Sequence, residues 1–462
     1  MAAPALPAAA AWFALLAPLP LVAPVGMQET PPASPAADIA LRPADGPDPA
    51  TAPLVYGPSI AIAPTPSGER PAAITPALFA AVERAMDEYP AIASSRVSVR
   101  ASRADLRAAK NMGLPSLGLQ GVAIGTGKGD LGTTVVADQP IFSWGRISSG
   151  IDAAKARREA TIAKVDENAM QIALDLTDAY FDLARSARRS AILAKGVEEQ
   201  DLLVESIQRR VEQEVSPRSD LELARSRAAQ VRQQLATTRA ERQSALMRVY
   251  QYVGDTSFDP GNVPVYETGV YHPSPDGAFE QAIACSPRRK RLLAEAEAAR
   301  AEAKVAKASA LPQLSAQMSY NQIIGTRAGL AVTAQTGGGL SAFASADAAR
   351  LRADSAAIDV TTADRELTEQ LNGDLIENGA ARDQIASSLA AARSAAEVTD
   401  SFKRQFITGR RTWLDVMNAV REANQAELTE ADAEISAMAS AARILLRTCR
   451  WQPQGDSGGM AQ

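Results

Sequence analysis

The chain has 462 residues, a formal net charge of −5 and only 5% aromatic residues. The acidic balance argues against a nucleic-acid partner, which ordinarily calls for a basic excess. One histidine, His272, and two cysteines, Cys285 and Cys449, cannot make a Cys/His cluster, so no zinc, haem or other metal site is expected. A Ser-His-Asp arrangement would have to use His272, which lies in a Pro/Gly-bearing segment. The reading is therefore of a protein that is not an enzyme, with no catalytic residues and no cofactor.

In chain order, residues 1–27 are alanine-rich and carry Trp12, Phe13, Leu15, Leu16, Leu19, Leu21 and Val22 before the first charge, Glu29. This reads as a secretion signal, although its start lacks Lys or Arg. Pro18, Pro20 and Pro24 argue against a permanent membrane helix. Residues 28–75 form a Pro/Ala-rich leader without helical period, expected to be disordered or to wrap the surface. No later stretch reaches the 18 or so apolar residues of a spanning helix. A membrane form would have to be a β-barrel.

From about Pro76 the chain repeats itself. AVERAMDEYP (81–90) returns as AFEQAIACSP (278–287), and the same 197-residue offset carries Leu114-Pro115 onto Leu311-Pro312. Further on, IDAAKARREA (151–160) matches ADAARLRADS (346–355) at an offset of 195, which also carries Asp220 onto Asp415. The repeats are 76–254 and 276–451, joined by a linker over 255–275 and followed by a disordered tail over 452–462. The two-residue difference falls in a window of strands and a loop, where length changes are tolerated.

Each repeat opens with a helix, about 76–112 and about 276–309, stopped by Leu-Pro. Strands follow. Leu314, Ala316, Met318 and Tyr320 alternate with Gln313, Ser315, Gln317, Ser319 and Asn321; Leu330, Val332 and Ala334 alternate with Gly329, Ala331, Thr333 and Gln335. Gly325-Thr326-Arg327 reads as the hairpin turn between them. Leu117 and Leu119, then Leu131, Thr133 and Val135, give the first repeat a weaker version around GTGKGD (125–130). That loop is not a phosphate-binding loop, because position 122 is Val and Lys128 precedes Gly129.

Long helices complete each repeat. Ile172, Leu176, Tyr180 and Leu183, then Leu203, Ile207 and Val211, recur at three- and four-residue spacing over about 146–213. A helix of that length spans about 100 Å, which suits a coiled-coil-like wall. A break at Glu214–Ser219 precedes a helix to about Val253. The second repeat matches it with a helix over about 345–405, a break at Ile407–Arg411 and a helix to about Arg450. The fold class is mainly α with a small β part. Four strands with one apolar face cannot close alone, whereas three protomers give twelve. Gln317 and Asn321 would face the lumen and Leu314 and Met318 the lipid, with Phe142, Trp144 and Tyr320 at the interface.

Two motifs at these places, QPIFSWGRISSGIDAAKA (139–156) and RQFITGRRTWLDVMNA (404–419), resemble the TolC outer-membrane efflux family. The resemblance covers about residues 76–451. It implies a homotrimeric twelve-stranded barrel among outer-membrane lipid, continuous with a periplasmic α-helical barrel. It also implies docking to a periplasmic adaptor (membrane fusion) protein and an inner-membrane transporter.

On that resemblance the turns are the gate. Val215, Pro217, Gly409, Arg410 and Thr412 would form the adaptor-docking turns. Gly409 is expected to close one helix in a left-handed conformation, and Thr412 and Ser219 to cap the helices that follow. Pro217 suits a first helical position. Asp220 and Asp415 become rings of three charges in a trimer; Asn418 stands where the family carries a second acid, so cation block should be weak. The closed state would be held by Arg411 and Phe406 reaching Asp220 or Ser219. The plainer reading is that these residues build turns and occupy helix N-termini. Cys285 and Cys449 are either a disulfide or two buried thiols. The alternative to a channel is a coiled-coil scaffold without a pore. Drug efflux and type I secretion are both open, with 410–423 slightly more like the secretion channels.

Overall fold

The computed structural model describes residues 70–124, 130–321, 325–334 and 337–453. The expected signal, most of the leader, the loop at 125–129 and most of the tail lie outside the described residues.

The opening helix of each repeat is two helices rather than one. α1 (Pro76–Glu88) gives way to α2 (Pro90–Asn111), and the second repeat breaks in the same place between α5 (Ala278–Cys285) and α6 (Pro287–Ser309). A proline ring clashes with the preceding residue in the helical region and pushes it extended. Tyr89 and Ser286 accordingly have ψ 125° and 116°, and each proline starts the next helix.

β1 (Ser116–Ile124), β2 (Asp130–Phe142), β3 (Gln313–Asn321) and β4 (Gly325–Thr333) form one antiparallel sheet in the order β1-β2-β3-β4. Asn321 pairs with Gly325, so Gly325-Thr326-Arg327 belongs to β4 and is not the expected turn. Residues 322–324, between the two strands, lie outside the described residues. Ala334 lies just past the strand.

Register separates the two faces. Leu119, Val135 and Tyr320 lie in one row, and Leu117, Ala137 and Met318 in the next. Ala316 pairs with Leu330, and Leu314 with Val332, on that same face. Its side chains are uncovered, with Leu117 80% and Leu330 70% exposed. The opposite face is polar and cross-linked. Asp138 accepts from Ser315 Oγ (2.9 Å) and Gln317 Nε2 (2.8 Å), and Asn321 donates to Thr134 (2.7 Å).

α3 (Arg146–Glu212) and α7 (Ser341–Ile407) are 67 residues each, about 100 Å at the rise of an α-helix. They are followed by α4 (Arg218–Val253) and α8 (Trp413–Arg447), of 36 and 35 residues. Trp144 and Gly145, both at positive φ, turn the chain from β2 into α3. Trp144 Nε1 donates to Pro312 O (2.6 Å) and Arg146 to Gln313 (3.0 Å), which ties this junction to the start of β3.

Ion pairs reveal the order of the helices. α3 meets α6 through Glu167–Arg291, α4 through Asp182–Arg248, and α8 through Arg189–Asp432 and Lys195–Glu427. α2 reaches α3 by Asn168–Ser95. α7 meets α6 through Arg289–Asp364 and α8 through Arg443–Glu377. The helices thus form a layer in which α2 and α4 flank α3 on one side, α6 and α8 lie between α3 and α7, and α7 closes the far side.

The main core sits at mid-length, where α1, α3, α4 and α8 bury Leu78, Met86, Leu176, Tyr180, Val249 and Leu445. The core begins before the expected end of the leader, since Ala73 and Ile74 are buried. The linker over 255–275 packs on it through Phe258 and Tyr271. Nearby, Asp374 accepts from both Arg443 Nε and Arg447 Nε, each at 2.7 Å, and the buried Asn378 donates to Ala437 O (2.9 Å). The sulfurs of Cys285 and Cys449 are bonded, with Cα atoms 6.4 Å apart.

Candidate functional site at the paired helical turns

The α3–α4 and α7–α8 turns lie side by side around a small core. Leu203 and Ile207 of α3, Leu221 of α4, Phe406 of α7, and Val416 and Val420 of α8 pack together there. Each contributor falls on the apolar stripe of its own helix, so burial brings the two turns to a common end.

Both turns use the same backbone closure. Val215 N–H donates to Arg210 O (2.9 Å) and Arg410 N–H to Gln405 O (2.9 Å). Such a bond, spanning five residues, requires a left-handed residue just before it. Gly409 takes that place with φ 73°, as expected, and Glu214 takes it with φ 58°.

The starts of the following helices differ. Thr412 caps α8 through a capping box: its hydroxyl accepts from Asp415 N–H, and its own N–H donates to Asp415 Oδ2 (3.1 Å). The Thr412 hydroxyl and N–H bonds hold the Asp415 carboxyl below the usual carboxylate range. At α4 the N-cap is Pro217, without a side-chain cap, so Ser219 does not cap and Pro217 precedes the first helical position.

Within one protomer the two turns are joined by other contacts than Arg411 or Phe406 on Asp220. Arg411 does not reach Asp220 within the protomer; it lies over the Phe402 ring (4.3 Å) and donates to Gln405 (3.4 Å) on its own hairpin. Phe406 is buried beneath Arg210, whose guanidinium sits 4.9 Å from the ring centre. Asp220 instead accepts from the indole Nε1 of Trp413 (2.8 Å). The physical reason is reach: the flat indole at the first position of α8 already lies against α4, while Phe402 offers Arg411 a nearer π face. Asn418 is exposed and accepts from Arg421 (3.3 Å). Val215, Pro217, Gly409, Arg410 and Thr412 are all exposed.

Trp413, Arg210 and Phe402 are contributors that the sequence reading missed. Trp413 and Asp220 are 193 residues apart, and nothing local in either stretch marks them as partners. Among the described residues no helix is long and apolar enough to cross a membrane, and no group of three His, Cys, Asp or Glu could hold a metal ion.

The family model described as Outer membrane efflux protein matches residues 81–255, which is almost all of the first repeat. No curated protein sequence matches closely enough to count as a relative. Among solved structures, the outer-membrane channel OprN aligns with a TM-score of 0.74 at 17% identity, covering 83% of this chain and 92% of that one. CusC, described in terms of transmembrane channel formation, gives 0.72 at 15%, covering 86% and 99%. The Campylobacter jejuni CmeC outer membrane channel gives 0.71 at 14%, covering 88% and 96%. At these identities the likeness is one of fold. Residues 81–255 thus carry the sequence signature of the outer membrane efflux protein family, and the chain has the fold of outer-membrane channels such as OprN and CmeC.

Proposed function

We propose that the chain is one subunit of a homotrimeric export channel in the outer membrane of a Gram-negative bacterium, its helices extending into the periplasm. It acts as the exit duct of a tripartite efflux pump or a type I secretion system and does no covalent chemistry. Its turns dock a periplasmic adaptor protein, which joins it to an inner-membrane transporter.

The sheet carries this reading. An exposed apolar face opposite a cross-linked polar face is the pattern of a barrel wall between lipid and water. Among the described residues β1 and β4 each leave an edge without a partner, and lipid does not tolerate open edges. Three copies would close twelve strands, and would also cover the outer flanks of α7 and of α2 with α4. A scaffold without a pore leaves the uncovered leucines unexplained. At the turns, the Asp220–Trp413 bond ties the two hairpins of one protomer. With Asn418 uncharged and Asp415 engaged in its cap, cations should block the opening only weakly.

The test is to express the full chain in a Gram-negative host, extract outer membranes in mild detergent and weigh the particle by light scattering. A trimer from that fraction supports the channel. A soluble monomer or dimer sinks it and favours the scaffold.

A further inference from the structure

The end of the molecule formed by the two turns is basic, although the chain as a whole is acidic. Residues 209–220 and 403–415 together hold seven Lys or Arg against four Asp or Glu, in a chain of net charge −5. Lys403 pairs with Glu199 (3.3 Å) and Arg209 approaches Glu205 (3.9 Å). Arg210, Arg218, Arg404, Arg410 and Arg411 have no carboxylate within ion-pair distance among the described residues.

None of the four local acids forms an ion pair with these five arginines among the described residues: Glu212 accepts from Gln208 on its own helix, and Asp415 feels the charge of Arg411 without pairing with it. Asp220 is held by the Trp413 indole and Asp415 by Thr412. Two of the arginines are also preorganised, Arg210 over Phe406 and Arg411 over Phe402, which lowers the entropy lost when an anion binds. Between the charges stand two uncovered apolar side chains, Ile407 at 83% and Val215 at 61% exposure.

We propose that this end recognises its protein partner through carboxylates: an acidic hairpin tip or loop whose Asp and Glu side chains seat on the five arginines, with an apolar residue against Ile407 and Val215. This rests on the reading of the turns as the docking end and adds the chemistry of the partner. Guanidinium forks suit carboxylate recognition, and a one-signed patch steers an oppositely charged partner to it.

The test uses the detergent-solubilised full chain, immobilised, with poly-L-glutamate as probe and poly-L-lysine as control, at low and at high salt. Poly-L-glutamate should bind the parent, and Arg404→Glu with Arg410→Glu should weaken that binding by about tenfold or more. Arg239→Glu with Arg242→Glu makes the same change in charge on exposed α4 positions away from the turns and should leave binding within about twofold. Equal losses in the two double variants, or no loss at the turns, overturns the proposal. Parent conductance in planar bilayers is read separately. A parent that does not conduct removes the channel reading, while the peptide comparison still decides the chemistry of the turns.

Discussion

Glu214 and Gly409 occupy one structural place in the two repeats and illustrate how a single residue sets local strain. A left-handed conformation costs a residue with a Cβ about 1–2 kcal/mol, and glycine almost nothing. Glu214 bears that cost at φ 58°. Glu214→Gly should therefore stabilise the protomer by about 1 kcal/mol, after the larger entropy of the unfolded glycine chain is subtracted. A lower midpoint in thermal unfolding would mean that the Glu214 carboxylate contributes more than the backbone loses. The capping box offers a second test at this scale. Its hydrogen bonds lower the Asp415 pKa in the folded state. A group lowered on folding adds stability above its unfolded pKa and loses it as pH falls through the folded one. The gap in melting temperature between the parent and Asp415→Asn should be full at neutral pH and shrink below the ordinary carboxylate range. A gap that does not change with pH would exclude the carboxylate as its source.

At the scale of elements, the two repeats solve one packing problem differently. α1 buries Leu78, Ala81, Val82, Ala85 and Met86, whereas α5 buries only Ala278 and Ala282. Five side chains, three of them large, hold α1 against the core by burial alone. α5 packs a smaller cluster, Ala278 and Ala282 with the half-buried Phe279 against Leu371 and Ile444, and the Cys285–Cys449 bond also ties it to the end of α8. The bond closes a separation of 164 residues, which in the chain-entropy account limits its contribution to on the order of 5 kcal/mol. Cys285→Ser with Cys449→Ser should lower the denaturation midpoint by several degrees, as should reduction of the parent. Equal stability with and without reductant would show that Ala278, Ala282 and the Arg450–Gln281 contact (3.0 Å) suffice.

The whole molecule joins its two hairpins at the turns by few direct bonds. Asp220–Trp413 is one, and the Arg210–Phe406 stack is another. If these turns are the gate, loosening that link should open the channel. Trp413→Phe keeps the apolar ring and removes the indole donor, so single-channel conductance in planar bilayers should rise. Arg411→Ser should change conductance less, because Arg411 contacts its own hairpin in this protomer. The opposite ranking would place the latch on Arg411, across a subunit boundary.

The sequence by itself determined the repeated plan, the long helices, the alternating strands and the places of the turns. These follow from local patterns of period 3.6 and 2, from Gly409 and Thr412, and from a constant offset of 195 residues that carries Arg146–Glu212 onto Ser341–Ile407. Even the break at Pro90 was open to reading, since the clash of a proline with its predecessor is local. Only the tertiary structure decided which side chains meet. Asp374 between Arg443 and Arg447, the bond between Cys285 and Cys449, and Trp413 rather than Arg411 on Asp220 are all partnerships between residues far apart in the chain. Helices of about 100 Å reach opposite ends of the molecule, so the neighbours of a side chain depend on how neighbouring helices are aligned, which core packing sets and a one-dimensional pattern does not record.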